Sequence, residues 1–272
     1  MDETLDRVVE AARNHLEMLR ANGARAVLVR PETWDALQKA PSPRPVSPRP
    51  APLAPVRTEV IQATPPDASK LQALTDLQNR AGQCILCPHL ASTRTQVVFG
   101  VGNIEAELMF IGEAPGADED AQGEPFVGAA GELLTRIIKA MGFARESVYI
   151  ANILKCRPNM PPQTSGNRKP TPEEMKTCLP YLLAQIDIIK PRVMVALGAT
   201  AVEGIFGQPM PIGKMRGQFR TFRDIPVMPT FHPAYLLRNQ AMSEKRKVWE
   251  DMLQVLEKLD APISEKQRGF FQ

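Results

Sequence analysis

Residues 107–131 read ELMFIGEAPGADEDAQGEPFVGAAG and constrain the fold more tightly than any other stretch. The apolar run Leu108-Met109-Phe110-Ile111 stops abruptly at Gly112-Glu113-Ala114-Pro115-Gly116. A strand that enters a glycine-proline turn and is followed by a helical pattern suits an open α/β sheet, where ligands bind at the carboxyl ends of the strands. Glu113 stands at such an end. The carboxylates that follow, Asp118, Glu119, Asp120 and Glu124, read on their own as a solvated acidic loop. Phe126 resists that reading, because it is a large apolar residue held between Pro125 and Gly128.

The rest of the chain repeats the strand–helix alternation. Strands are expected at 108–111, 148–153, 193–197 and 227–231, the last preceded by a hairpin over 219–225. Between them lies a helical pattern over 129–141, with Leu133, Leu134, Ile137 and Ile138 on one face. Another covers 172–189 and opens with a capping box, Thr171 and Glu174, and with Pro172 at the first helical position. Pro180 is expected to kink or divide it. Helices over 198–206 and 243–259 complete an α/β fold: a central, mainly parallel four-stranded sheet flanked by helices.

This body spans 69–260, with 261–272 as a C-terminal tail. Before it, residues 41–55 hold seven of the chain's 26 prolines, so 38–68 reads as a semi-rigid, largely disordered linker. Residues 1–37 carry an amphipathic helix marked by Leu5, Val8, Val9, Ala12, Leu16 and Leu19, too short a piece to bury its own core. A plain spacer and a docking segment for a protein partner both suit residues 1–68. A net charge of +3 permits a nucleic-acid partner without requiring one. No apolar run reaches the roughly 18–20 residues of a membrane span, and the acidic first residues contain no signal core. A cytoplasmic monomer is expected.

The four cysteines are Cys84 and Cys87, as C-x2-C, and Cys156 and Cys178. In a reducing compartment structural disulfides are disfavoured, and four thiolates match a cage for zinc or for an iron–sulfur cluster; scattered buried thiols are the plain alternative. His89 is a further ligand type nearby, not needed when four thiolates are present. Lys155, Arg157, Arg168 and Lys169 flank the second pair and read as a phosphate-facing loop or a solvated surface. Asn152 interrupts an apolar strand, where a buried amide must find partners. It either bonds to backbone or reads a ligand edge with the donor–acceptor pattern of uracil. His232 ends another strand, in FHPAYLLRN. Glu113, Asn152 and His232 would then meet at one crevice. After His232, Leu236, Leu237 and Arg238 suit either a turn packed on the core or a wedge into stacked bases with a cation for phosphate.

These segments resemble family 4 uracil-DNA glycosylases, the iron–sulfur branch of that superfamily. The resemblance rests on C-I-L-C (84–87), V-F-G-V-G-N (98–103), G-E-A-P-G-A-D-E-D (112–120), G-E-P-F-V-G-A-A-G-E-L-L (123–134), V-Y-I-A-N-I-L-K-C-R-P (148–158), C-L-P-Y-L (178–182), L-G-A-T-A (197–201) and F-H-P-A-Y-L-L-R-N (231–239), in family order. It implies excision of uracil from single- and double-stranded DNA by a monomer. Glu113 is implied as the acidic residue of the first motif, Gly112 and Ala114 as backbone lining the base, Phe126 as its stacking surface and Asn152 as its reader. His232 is implied to stabilise the leaving base. The four cysteines are implied to hold a structural [4Fe–4S] cluster, with zinc as the alternative. A DNA-binding module of the same fold without catalysis is the competing reading. The chain departs from the family in the insert MPPQTSGNRKPT between Cys156 and Cys178, and its first 70 residues have no counterpart in compact members.

Overall fold

The computed structural model describes residues 68–158, 160 and 166–272. The expectations for residues 1–67, and residues 161–165 of the insert after Cys156, lie outside the described residues. The elements are α1 (Ala68–Gly82), α2 (Pro88–Ala91), β1 (Val101–Gly102), β2 (Leu108–Gly112), α3 (Ala117–Gln122), α4 (Ala129–Ala140), β3 (Tyr149–Asn152), α5 (Pro172–Ile189), β4 (Val193–Leu197), α6 (Ala199–Phe206), α7 (Ile212–Met215), β5 (Arg220–Phe222), β6 (Ile225–Thr230), α8 (Pro233–Arg238), α9 (Met242–Lys258) and α10 (Glu265–Arg268).

The strands lie in the order β1-β3-β2-β4-β6-β5. The four expected strands form the parallel centre, and each edge adds one short antiparallel strand. β5 and β6 are the expected hairpin, turned by Arg223 and Asp224, both at positive φ, as a tight two-residue hairpin requires. The two-residue strand β1 had no legible apolar run.

The central strands are buried on both faces, so they read as continuous apolar runs instead of alternating ones. Alternation survives in what each residue touches. Met109 and Ile111 pack with the α5–α6 layer, and Leu108 and Phe110 with the α4–α9 layer. This period of two decides below which strand-end side chains share a face.

α5 opens on the expected capping box, with Thr171 accepting from the Glu174 amide. The expected division at Pro180 does not occur: the helix runs unbroken through it. Pro180 lies on the exposed face, so the Lys176 carbonyl that loses its donor also faces solvent. Residues 261–272 fold back on the body. Trp249 Nε1 donates to the Gln267 carbonyl at 2.6 Å, and Gln267 Nε2 donates to the Ala140 carbonyl at 2.9 Å. Among the described residues no helix is long and apolar enough to cross a membrane.

Candidate functional site

The parallel register sets Gly112 beside Asn152 at the carboxyl ends of β2 and β3. The ladder continues one step further, with Ile153 N donating to Gly112 O and Leu154 N to Glu113 O. By the period of two, Gly112 shares the face of Phe110, and Asn152 that of Ile150, the layer that also contains Phe126. Gly112 must be glycine for a steric reason. A Cβ there would lie 2.4 Å from Asn152 Oδ1 and 2.5 Å from Phe126 Cζ. The bare backbone therefore lets an amide and an aromatic ring close on the strand end from two sides.

Phe126 is held at φ 57, the left-handed region, which costs a non-glycine residue on the order of 1–3 kcal/mol. Its loop is tied down at several points. Glu119 Oε1 accepts from the amides of Val127 (3.1 Å) and Gly128 (3.2 Å), and Oε2 from that of Gly116 (3.0 Å). Arg145 Nη2 donates to the Pro125 carbonyl at 2.6 Å. The acidic stretch is thus not the solvated loop expected for Asp118–Asp120. It is helix α3, and Asp120 is buried with both oxygens accepting from Thr95 N at 3.0 Å, although Asp118 stays exposed.

The Phe126 ring stacks on His232, centroids 5.6 Å apart and planes at 30°. His232 caps α8, its Nδ1 accepting from Ala234 N at 3.1 Å. A ring nitrogen that accepts carries no proton, so the neutral ring bears its hydrogen on Nε2. Burial, reinforced by the charge of Arg238 and opposed by Glu119, pushes the imidazole down to about 4. Near neutral pH His232 is an uncharged donor. Space for it comes from Gly198, where a Cβ would stand 3.0 Å from His232 Cβ.

Asn152 is 2% exposed, and its Oδ1 is a buried acceptor with no partner among the described residues. Such an atom costs about 1–3 kcal/mol and calls for an explanation. Its neighbour at the Gly112 strand end is the Phe126 ring, which in turn stacks on the neutral His232.

Glu113 takes a hydrogen bond from Thr200, with Lys169 and Glu203 close by; burial raises its carboxyl above the usual carboxylate range. Ala114, half-buried, packs against the group formed by Leu90, Leu154, Cys156 and Cys178.

The four thiols meet near that group. Each of Cys87, Cys156 and Cys178 feels the charge of Cys84, and Cys156 acts on both Cys87 and Cys178. Burial holds Cys178 up to about 12, and its sulfur accepts from Lys155 N at 3.2 Å. Arg94 Nη1 donates to Cys156 Sγ at 3.1 Å. Among the described residues no group of three or more ligating side chains is arranged to hold a single metal ion. His89 instead bonds Glu174 at 2.7 Å.

The basic residues divide. Lys155 does not face phosphate. It is 1% exposed and donates to the Asn152 carbonyl (2.9 Å) and to Gln185 Oε1 (2.6 Å). The apolar Lys155 stem fits the core, and Gln185 and the strand end supply acceptors that sequence order hides. Arg168 grips both oxygens of Glu174, at 2.9 and 2.6 Å. Arg157 donates to the Gly166 carbonyl at 3.3 Å. Arg238 is exposed, as the wedge reading requires. Leu236 is not: it is 5% exposed. Together with the half-buried Leu237 it lines a cavity of about 190 Å³ against Leu133, Ile137, Trp249 and Phe271.

The α/β sheet thus gathers an aromatic ring, a buried amide and a neutral histidine around the carboxyl ends of its parallel strands. The chain belongs to the uracil DNA glycosylase superfamily, whose family model matches residues 99–253. Within it, the chain is similar to the type-4 uracil-DNA glycosylase of Thermotoga maritima, at 47% identity over 65% of this chain and 89% of the relative. It is 42% identical to that of Archaeoglobus fulgidus over 64% of this chain and 88% of the relative. It is also 42% identical to that of Saccharolobus solfataricus, over 63% and 80%.

Proposed function

We propose that this chain is a uracil-DNA glycosylase: it hydrolyses the N-glycosidic bond of uracil in DNA, releasing free uracil and leaving an abasic site. The orphaned Oδ1 of Asn152, which shares the Gly112 strand end with the Phe126 ring that in turn stacks on His232, carries the reading. Uracil supplies what that atom lacks. Its N3–H donates to Oδ1, while its O4 accepts from the amide nitrogen. Cytosine presents the reverse pattern, so buried polar groups would face unpaired, which discriminates more strongly than size.

In a duplex the base must first leave the stack, at a cost of a few kcal/mol. Stacking on Phe126 returns roughly 1–3 kcal/mol. Bond cleavage leaves positive character on the sugar and negative charge on uracil. His232 Nε2–H, neutral and fixed by its Nδ1 bond, donates to the carbonyl oxygen where that charge develops. A neutral donor suits this task, because it stabilises the anion without surrendering its proton. Glu113 is assigned the carboxylate that steadies the sugar cation or orients water, its carboxyl steadied by Thr200. Exposed Arg238 is assigned to phosphate.

Cys84, Cys87, Cys156 and Cys178 are assigned to a [4Fe–4S] cluster, with zinc as the alternative. An amide and a guanidinium already donate to two of the sulfurs, which suits ionised ligands. Bound there, the cluster cross-links chain segments and leaves the hydrolysis to the side chains above. A brown protein with broad visible absorption supports iron–sulfur, and a colourless zinc protein overturns it. For the enzyme itself, a uracil-containing oligonucleotide is treated with protein and then alkali. Scission is expected with single strands and with U·G pairs, and intact strands from cluster-replete protein refute the proposal.

A further inference from the structure

Behind His232 lies a buried polar network that the reaction as described leaves unused. Asp251, in the middle of α9, is fully buried. Its Oδ2 accepts from Thr230 Oγ1 at 2.6 Å and from Arg216 Nε at 3.1 Å, and its Oδ1 accepts from Arg216 Nη2. Arg216 also donates to the Lys247 carbonyl, and its guanidinium lies 5.8 Å from the centroid of the Phe231 ring. Phe231 in turn packs on Tyr235, centroids 4.6 Å apart. Thr230 is the last residue of β6, two before His232, and its carbonyl accepts from Gly198 N at 2.8 Å. The two residues that lead into His232 are therefore contacted from α9, from the segment after α7 and from the segment before α6.

A buried carboxylate–guanidinium pair is a poor way to gain stability, since desolvation offsets its attraction and an apolar pair of the same volume serves as well or better. The cost is visible here: burial pushes the Asp251 carboxyl up to about 6 despite Thr230 and Arg216. What the pair provides is direction. Two bonds from a rigid fork fix Asp251, and Asp251 fixes the hydroxyl at the strand end from which His232 projects.

We infer that Thr230 and Asp251 are positioning residues for catalysis, setting the placement of the His232 imidazole against the leaving base through the end of β6. The inference rests on the leaving-group role proposed for His232, so its test is built around the leaving group. Thr230→Val removes the hydroxyl but keeps the shape and leaves the Asp251–Arg216 pair intact. Single-turnover excision is measured on matched oligonucleotides carrying uracil or 5-fluorouracil, whose anion is the more stable and needs less help. Thr230→Val is expected to slow uracil release about tenfold, within the ~10²-fold that a 1 Å misplacement can cost. DNA affinity should change little, and most of the loss should vanish with 5-fluorouracil. Thr230→Ser should restore the uracil rate, and Asp251→Asn should repeat the base-dependent loss.

A loss equal on both bases, or one carried by weaker DNA binding or a lower melting temperature, would make the network a plain structural staple and overturn the inference. So would an unchanged rate. His232→Ala separates the two levels. If its own defect is the same on both bases, the leaving-group reading of His232 falls and the inference falls with it. If its defect is base-dependent and that of Thr230→Val is not, only the positioning claim fails.

Discussion

Asn152→Ala should make the protein more stable and nearly inactive. The free enzyme holds a buried Oδ1 with no partner among the described residues, which costs about 1–3 kcal/mol. Truncation removes that atom. It also opens a void of a few heavy atoms beside Gly112 and Phe126, which takes back about 1 kcal/mol. The balance is a gain of about 1 kcal/mol, or ~2–4 °C in melting temperature for a body of this size. Catalysis moves the other way. Uracil would be left with an unpaired N–H and an unpaired carbonyl in a dry site, worth together about 3–5 kcal/mol, a loss of ~10²–10⁴ in rate. Differential scanning calorimetry and single-turnover excision on one uracil oligonucleotide give the two numbers from one preparation. A melting temperature that falls by several degrees would show that the amide serves the fold, and the ligand-reading argument would be refuted.

Replacing His232 by Ala should lower excision about 10²–10³-fold, the usual cost of losing one donor to a developing anion, with DNA affinity retained in a gel-shift assay. Because the folded-state pKa of His232 is about 4, below its ordinary 6.5, the folded protein binds fewer protons than the unfolded chain between those values. Stability should therefore decline as pH falls from 6.5 towards 4, and pH-dependent unfolding of His232→Gln should lack that part of the slope. Glu113 has a carboxyl raised above 4.5, so a reaction that needs it ionised should gain rate with pH through a midpoint above 4.5. That limb should disappear from the pH–rate profile of Glu113→Gln. Cys178→Ser should lose broad visible absorption together with melting temperature, because one ligand to the thiol centre is gone; unchanged absorption would remove Cys178 from the ligand set.

The strand ends were legible because β2, β3 and β4 are buried along their length and leave unbroken apolar runs, and because Glu113, Asn152 and His232 stand out at the ends of β2, β3 and β6. The motif order placed Phe126, Asn152 and His232 together, and geometry accounts for that through Gly112. What sequence hid was partnership. Asp120 and Glu119 look like solvent-facing charges until helix α3 turns them onto backbone amides. Lys155 looks like a phosphate ligand until Gln185, from helix α5, meets its ammonium in the core. Pro180 looked like a break because local pattern does not reveal which helix face meets water. Asp251 gave no signal, since its partners Thr230 and Arg216 are brought to it only by the packing of α9 on β6.

The thiol centre draws its members from segments far apart in the chain, and this gives the protein a birth order. Cys84 and Cys87 emerge during synthesis while Cys178 has not yet been made. At about 5–20 residues per second the interval lasts ~5–20 s. In that window the first pair is already outside the ribosome, with Ile85 and Leu86, strongly exposed even in the finished fold, between its two thiols. The sheet cannot close meanwhile, since β4 and β6 follow Cys178. Acquisition of any inorganic group by this protein is thus a late event in its making. Strains that synthesise the chain faster than they supply that group should accumulate it in a form whose sheet is assembled but whose cysteine loops are not.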